Sequence, residues 1–342
     1  MRSLVTEGVD EEETPPDADD RSPRAPSWLV PLALGLVLAV GVVVRLVQRS
    51  PLWLDEALSV NIAALPVGDL LEALRHDGHP PLYYLVLHAW MQVAGEGDLA
   101  VRSLSALFGL ATLPLMWVAG RRLAGRSGAR WALAVAALSP FFVRYSTEAR
   151  MYSLVMLLVV AGYLLLTDAL AAPRPGRLVA IALVSGLLLL THYWSFYLVA
   201  AVGLLLVVRA VGRPAERPTT LRVILAVAAG GLLFLPWMGS FLYQSANTGT
   251  PWGAPFRPSA IVQIAIADLG GGRLPESALA GTVTVLLALV ALFAVRSSGT
   301  RVELDLRTTP TVRWELAVVV LTIALGAAVG YATNATFQSR YA

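Results

Sequence analysis

Asp55 and Glu56, adjacent in WLDEALS, and Asp77 and His79, in the turn-like DGHPP, are the side chains whose types and spacing suit chemistry. All four fall within residues 50–84, between long apolar segments. Two acids and an acid–histidine pair on one surface suit a general base, a divalent metal, or both. Each also has a plainer reading. Acids in a first helical turn complement the helix dipole, and a histidine before Pro80 and Pro81 is an ordinary turn residue. The plainer reading of Asp55 and Glu56 weakens because Glu148 recurs, in YSTEARMY, on the face to which the topology below assigns the same loop. Arg150 of that motif begins an apolar span and is either a snorkelling anchor or a phosphate ligand. Tyr145, Glu148 and Tyr152 stand beside it. His192, followed by Tyr193 and Trp194, reads as part of an aromatic belt or of the site.

The elements that must carry these groups follow from prolines and periodicity. Pro51 starts a helix in which Leu54, Leu58, Ile62 and Leu65 recur every three or four residues. That spacing predicts a surface helix with its leucines inward and Asp55, Glu56 and Ser59 turned to water. Pro66 starts a second, with Leu70, Leu71 and Leu74 inward and Asp69, Glu72 and His76 outward. Pro81 starts a third, in which Tyr84, His88 and Gln92 form a polar edge.

Around this loop the chain is a membrane protein. It has 342 residues, 56% hydrophobic and 14% charged, with mean hydropathy +0.66. A water-soluble domain carries roughly 25% charge. All 26 basic residues are arginine and cysteine is absent, which removes disulfides, thiolate metal sites and a cysteine nucleophile. Residues 1–27, acidic and proline-rich, are expected to be a disordered cytosolic tail rather than a signal peptide. About nine spans follow, near 28–47, 99–119, 129–143, 150–170, 178–191, 195–211, 222–241, 279–296 and 314–332. The fold class is therefore all-α, a polytopic helical bundle. The apolar run 81–93 is short for a span. If it lies in the interface, four arginine-bearing loops fall on the cytosolic side. The first outer loop (48–98), Glu148, Arg150 and His192 then share the outer side. The chain closes in the polar FQSRYA and is expected to continue beyond it.

Two stretches carry a resemblance. WLDEALS with DGHPPLYY, then RSLSALFGLATLPLMWVAGRRLAG and SPFFVRYSTEARMYSL, resemble the GT-C membrane glycosyltransferases. The similarity is to the branch that holds dolichyl-phosphate-mannose-protein mannosyltransferase-like and aminoarabinose-transferase-like enzymes, and covers 28–200 best. The resemblance implies a helical bundle with interfacial helices in its first outer loop. It implies inverting transfer of a sugar, mannose first, from a polyprenyl-phosphate-linked donor to a glycan or protein acceptor outside the cytoplasmic membrane. The family's essential acid maps onto Asp55, with Glu56 beside it, and its second acid onto Asp77. His79, Arg150, Tyr152 and Arg340 would serve the donor phosphate, and Tyr84, Glu148 and His192 the substrate. No cofactor is required by the motifs, and a divalent metal on Asp55, Glu56 and His79 stays open, since relatives differ. Membrane lipids are partners and nucleic acid is not. The alternatives are a transporter or flippase of lipid-linked glycans, or a non-catalytic scaffold. Transport predicts ionisable groups at mid-span, whereas Arg45 and Asp168 lie near span ends.

Overall fold

The computed structural model describes residues 26, 28–47, 50–247, 258–272, 275–298, 301–304 and 312–332. The expected tail (1–27) and the C-terminal FQSRYA lie outside the described residues, apart from residue 26. The chain is a helical bundle. Its helices are α1 (Leu29–Leu46), α2 (Leu54–Ala63), α3 (Val67–Asp77), α4 (Leu82–Ala94), α5 (Asp98–Leu138), α6 (Pro140–Thr147) and α7 (Tyr152–Ala171). They continue as α8 (Pro175–Thr191), α9 (Ser195–Gly212), α10 (Arg217–Gly230), α11 (Met238–Asn247), α12 (Pro258–Leu269), α13 (Pro275–Phe293) and α14 (Arg313–Ala332). A two-stranded antiparallel hairpin, β1 (Ala294–Ser298) and β2 (Arg301–Leu304), interrupts the helices, which the sequence reading did not anticipate.

Among the described residues six helices or helical runs are long and apolar enough to cross a membrane. The 41-residue α5 supplies two of the nine expected spans, because it folds back on itself. Gly125 at φ 64° takes the left-handed backbone that β-carbon-bearing residues avoid. At Gly120 a Cβ would stand 2.6 Å from the Gly128 carbonyl oxygen, so the two limbs can approach only because it is glycine. The expected spans at 178–191 and 279–296 correspond to shorter apolar helices, Pro175–Thr191 and Glu276–Val290. The expected span 222–241 changes character midway. Over Gly231–Trp237, which contains Pro236, the winding tightens to 3-10, and α11 then continues towards α3.

The short run 81–93 forms α4, 13 residues and so about 20 Å long, less than the ~30 Å of a hydrocarbon core. It is not an amphipathic helix with a polar Tyr84 edge. Tyr83, Tyr84, Leu87 and Met91 are buried in the main core, with Leu70 and Leu74 of α3, Tyr145, Tyr152 and Phe234. Three loop helices thus pack into the bundle end instead of resting on its surface. Arg45 of α1 fastens the second limb of α5 there: its guanidinium donates to the Ala136 and Ala137 carbonyls, both at 2.7 Å. These are among the last carbonyls of a helix, which lack partners of their own and favour a cation.

Candidate active site

The site grows from α2, whose orientation is the reverse of the one the leucine spacing predicts. Leu54 and Leu58 are exposed, at 71% and 44%, while Glu56, Ser59 and Ala63 are buried. In a chain bounded by lipid, exposed leucines cost nothing, and the polar face turns inward where partners exist. Glu56, expected among the catalytic acids and turned to water, is fully buried. Arg102 of α5 donates to both of its oxygens, at 2.8 and 2.5 Å. The backbone N–H groups of Ala149 and Trp53 donate to it as well, at 2.8 and 3.2 Å. Glu56 thus joins α2, α5 and the 148–150 turn, its oxygens engaged by four donors. Arg102 also donates to the carbonyls of Ser50 and Pro51, at 2.6 and 3.1 Å, fixing the entry to the loop.

Arg150 lies on the other side of α2. It is 4% exposed and donates to Ser59 Oγ at 2.8 Å, the Asp55 carbonyl at 3.3 Å and Tyr84 Oη at 3.5 Å. Its second terminal nitrogen reaches His79 Nε2 at 3.2 Å. A guanidinium only donates, so His79 accepts at Nε2 and carries its proton on Nδ1, which donates to Asp77 Oδ2 at 2.6 Å. Asp77, His79 and Arg150 form one chain of hydrogen bonds, presented by Gly78, which ends α3 at φ 91°.

Electrostatics follow from this packing. Burial pushes the Asp77 carboxyl upward, but the hydrogen bond with His79 and the neighbouring Arg150 outweigh it, leaving Asp77 below the usual carboxylate range. Burial lifts the Tyr84 phenol to about 12, so it stays protonated. Glu148 is raised by burial, partly offset by Arg144, with the Glu56 charge adding to the rise. Arg144, at the end of α6, bridges Glu148 at 3.0 Å and Asp268 of α12 at 3.3 Å. Asp55 is half-buried in the field of Arg150.

The structure therefore brings Asp55, Asp77, His79, Tyr84, Arg150 and the Tyr152 ring into one neighbourhood, with Glu56 behind them. Glu148 approaches from the Arg144 side. His192 stacks obliquely on Tyr152, ring centroids 6.0 Å apart, and Tyr152 meets Tyr145 at 4.7 Å. Arg340 lies outside the described residues. The proposed metal set does not assemble. Glu56 is committed to Arg102, and the His79 lone pair a cation would need accepts from Arg150. Among the described residues no three His, Asp or Glu side chains converge as metal ligands. Sequence reading missed Arg102, Arg144, Gln244 and Asp268. An arginine in the first turns of a span looks like an anchor, and nothing local marks its partner 46 residues away.

The family model for dolichyl-phosphate-mannose-protein mannosyltransferases matches residues 78–239. Residues 78–239 belong to that family. The matched stretch begins at the Gly78 turn and includes Arg102, Glu148, Arg150 and His192, and α2 with Asp55 packs onto it from just before its start. This mannosyltransferase-like region, together with the helices long and apolar enough to cross a membrane, points to a multi-pass membrane glycosyltransferase. No curated protein matches the chain.

Proposed function

We propose that the chain transfers a sugar, mannose first, from a polyprenyl-phosphate-linked donor to a glycan or protein acceptor. Transfer takes place on the outer face of the cytoplasmic membrane, with the N-terminus cytosolic. The observation that carries this reading is Arg150. It is buried; burial works against its charge, but Tyr84, Tyr152 and Asp55 outweigh that and hold it protonated, and among the described residues it donates to Ser59 Oγ, Tyr84 Oη and the Asp55 carbonyl and reaches His79 Nε2. Arg102 and Arg144, by contrast, are matched to carboxylates. A buried guanidinium whose hydrogen bonds go to hydroxyls, a carbonyl and a ring nitrogen suits an incoming phosphate, whose oxygens are stronger acceptors.

In this reading the acceptor hydroxyl attacks the anomeric carbon as its proton passes to Asp55, and inversion follows from attack opposite the leaving group. The bonding pair of the donor's C–O bond leaves with the polyprenyl phosphate, whose growing charge Arg150 stabilises. Tyr84, still protonated, is a further donor beside it. Asp77 keeps His79 in the tautomer that holds Arg150 in place. The proposal is tested by transfer from polyprenyl-phosphate-mannose in membranes containing wild type or Asp55→Asn at equal protein level. Loss of a general base lowers transfer by on the order of a hundredfold or more. Unchanged transfer in Asp55→Asn would remove Asp55 from the chemistry.

A further inference from the structure

Gln244, at the end of α11 and beyond the family-matched stretch, is 2% exposed and fully occupied. Its amide nitrogen donates to the Leu74 carbonyl at 2.8 Å and reaches the His79 carbonyl at 3.5 Å. Its amide oxygen accepts from Tyr193 Oη, which itself accepts from Trp237 Nε1 at 2.9 Å. The two carbonyls it grips lie on either side of the left-handed Gly78, whose N–H also donates to Leu74 at 3.2 Å. Next to it Tyr243 holds the outside of the same helix end, its ring under the Arg75 guanidinium at 4.7 Å and edge-on to His76 at 5.3 Å. Gln244 thus adds a second donor to the Leu74 carbonyl, near the end of α3, and a donor near the His79 carbonyl just beyond it.

We infer that Gln244 is a positioning residue: by clamping the carbonyls of Leu74 and His79 it fixes the turn that presents Asp77 and His79 to Arg150. A buried amide is matched to this task because it donates towards α3 while accepting from Tyr193, so the turn is tied to α9 and the 3-10 segment and not to the loop alone. The functional part of this inference rests on the proposed transfer reaction; the positional part does not. A shift of about 1 Å in a group that orients a reactant costs roughly a hundredfold in rate, and a loosened clamp costs some part of that.

The experiment compares wild type with Gln244→Met, which keeps the length and volume but removes every hydrogen bond. Two readouts are taken on the full chain in membranes or detergent. Hydrogen–deuterium exchange over residues 74–79 is expected to quicken on the order of tenfold with other segments unchanged. Transfer from polyprenyl-phosphate-mannose is expected to fall roughly tenfold or more in kcat, with the donor KM little altered. Unchanged exchange in the turn overturns the inference, whatever the activity. Faster exchange with undiminished transfer overturns the functional part. If wild type transfers nothing from any polyprenyl-phosphate sugar, the proposed reaction fails while the exchange result still decides the clamp. If Gln244→Met loosens the whole chain, Tyr193→Phe, which releases the amide oxygen and the Trp237 indole N–H but leaves the amide nitrogen on the turn, is read by the same two criteria.

Discussion

Arg102 and Arg150 are buried to the same degree, 5% and 4% exposed, and flank the same short helix, yet their surroundings differ in kind. Arg102 meets a carboxylate with both sides of its fork, and the Glu56 oxygens it leaves are completed by backbone N–H groups. Arg150 meets hydroxyls, a carbonyl and an imidazole nitrogen. The first arrangement is closed: charge balances charge, and nothing is left to bind. The second spends the guanidinium on polar groups without such a fully buried carboxylate, and the proposed phosphate contact rests on that difference. Burial alone does not separate a structural arginine from a binding one. The charge of the partner does.

The sharpest way to break this comparison is to truncate each arginine in turn. Arg102→Met strands a carboxylate that is fully buried, and breaking such a pair typically costs about 3–5 kcal/mol. The expected result is a large fall in thermal stability in detergent, or loss of protein from the membrane. Restoring neutrality with Glu56→Gln in the same chain should recover much of it. Arg150→Met strands no fully buried carboxylate, so the loss of stability should be smaller than for Arg102→Met, while transfer falls roughly a hundredfold or more. Equal destabilisation by both substitutions would dissolve the distinction.

A finer test concerns pH. Asp77 lies below the ordinary carboxylate range because of His79 and Arg150, with burial working against them. Its charged form therefore adds stability above about pH 4, the ordinary value for aspartate, and that contribution is lost as pH falls through the lower folded value. Asp77→Asn should flatten the acid limb of a melting-temperature profile and leave the limb above pH 5 parallel to wild type. A profile of identical shape in both proteins would show that Asp77 is not held by its neighbours. The smallest effect is expected at the exposed side of α2. Leu58→Ala should change stability by no more than about 0.5 kcal/mol, because that leucine is already exposed. A core-sized loss on melting would restore the leucine-inward orientation.

Much of this arrangement is legible in the chain itself. Run length and arginine spacing determined which segments reach across a membrane and which, like 81–93, fall short. The clustering of Asp55, Glu56, Asp77 and His79 between apolar runs marked the loop, and YSTEARMY marked Arg150 as its counterpart. Periodicity also located helix α2, but not its facing. A repeat of leucines defines an apolar stripe, and in water that stripe must turn inward, whereas beside lipid either face can. Only the tertiary structure decided that Glu56 and Ser59 are inside and Leu54 and Leu58 outside. It alone separated two adjacent acids, one locked under Arg102 and one left near Arg150. It alone brought Gln244 to a turn 165 residues before it. Such pairings are chosen by the shape of the packed bundle and by the cost of leaving a buried polar group unmatched, and neither is written in any local stretch of sequence.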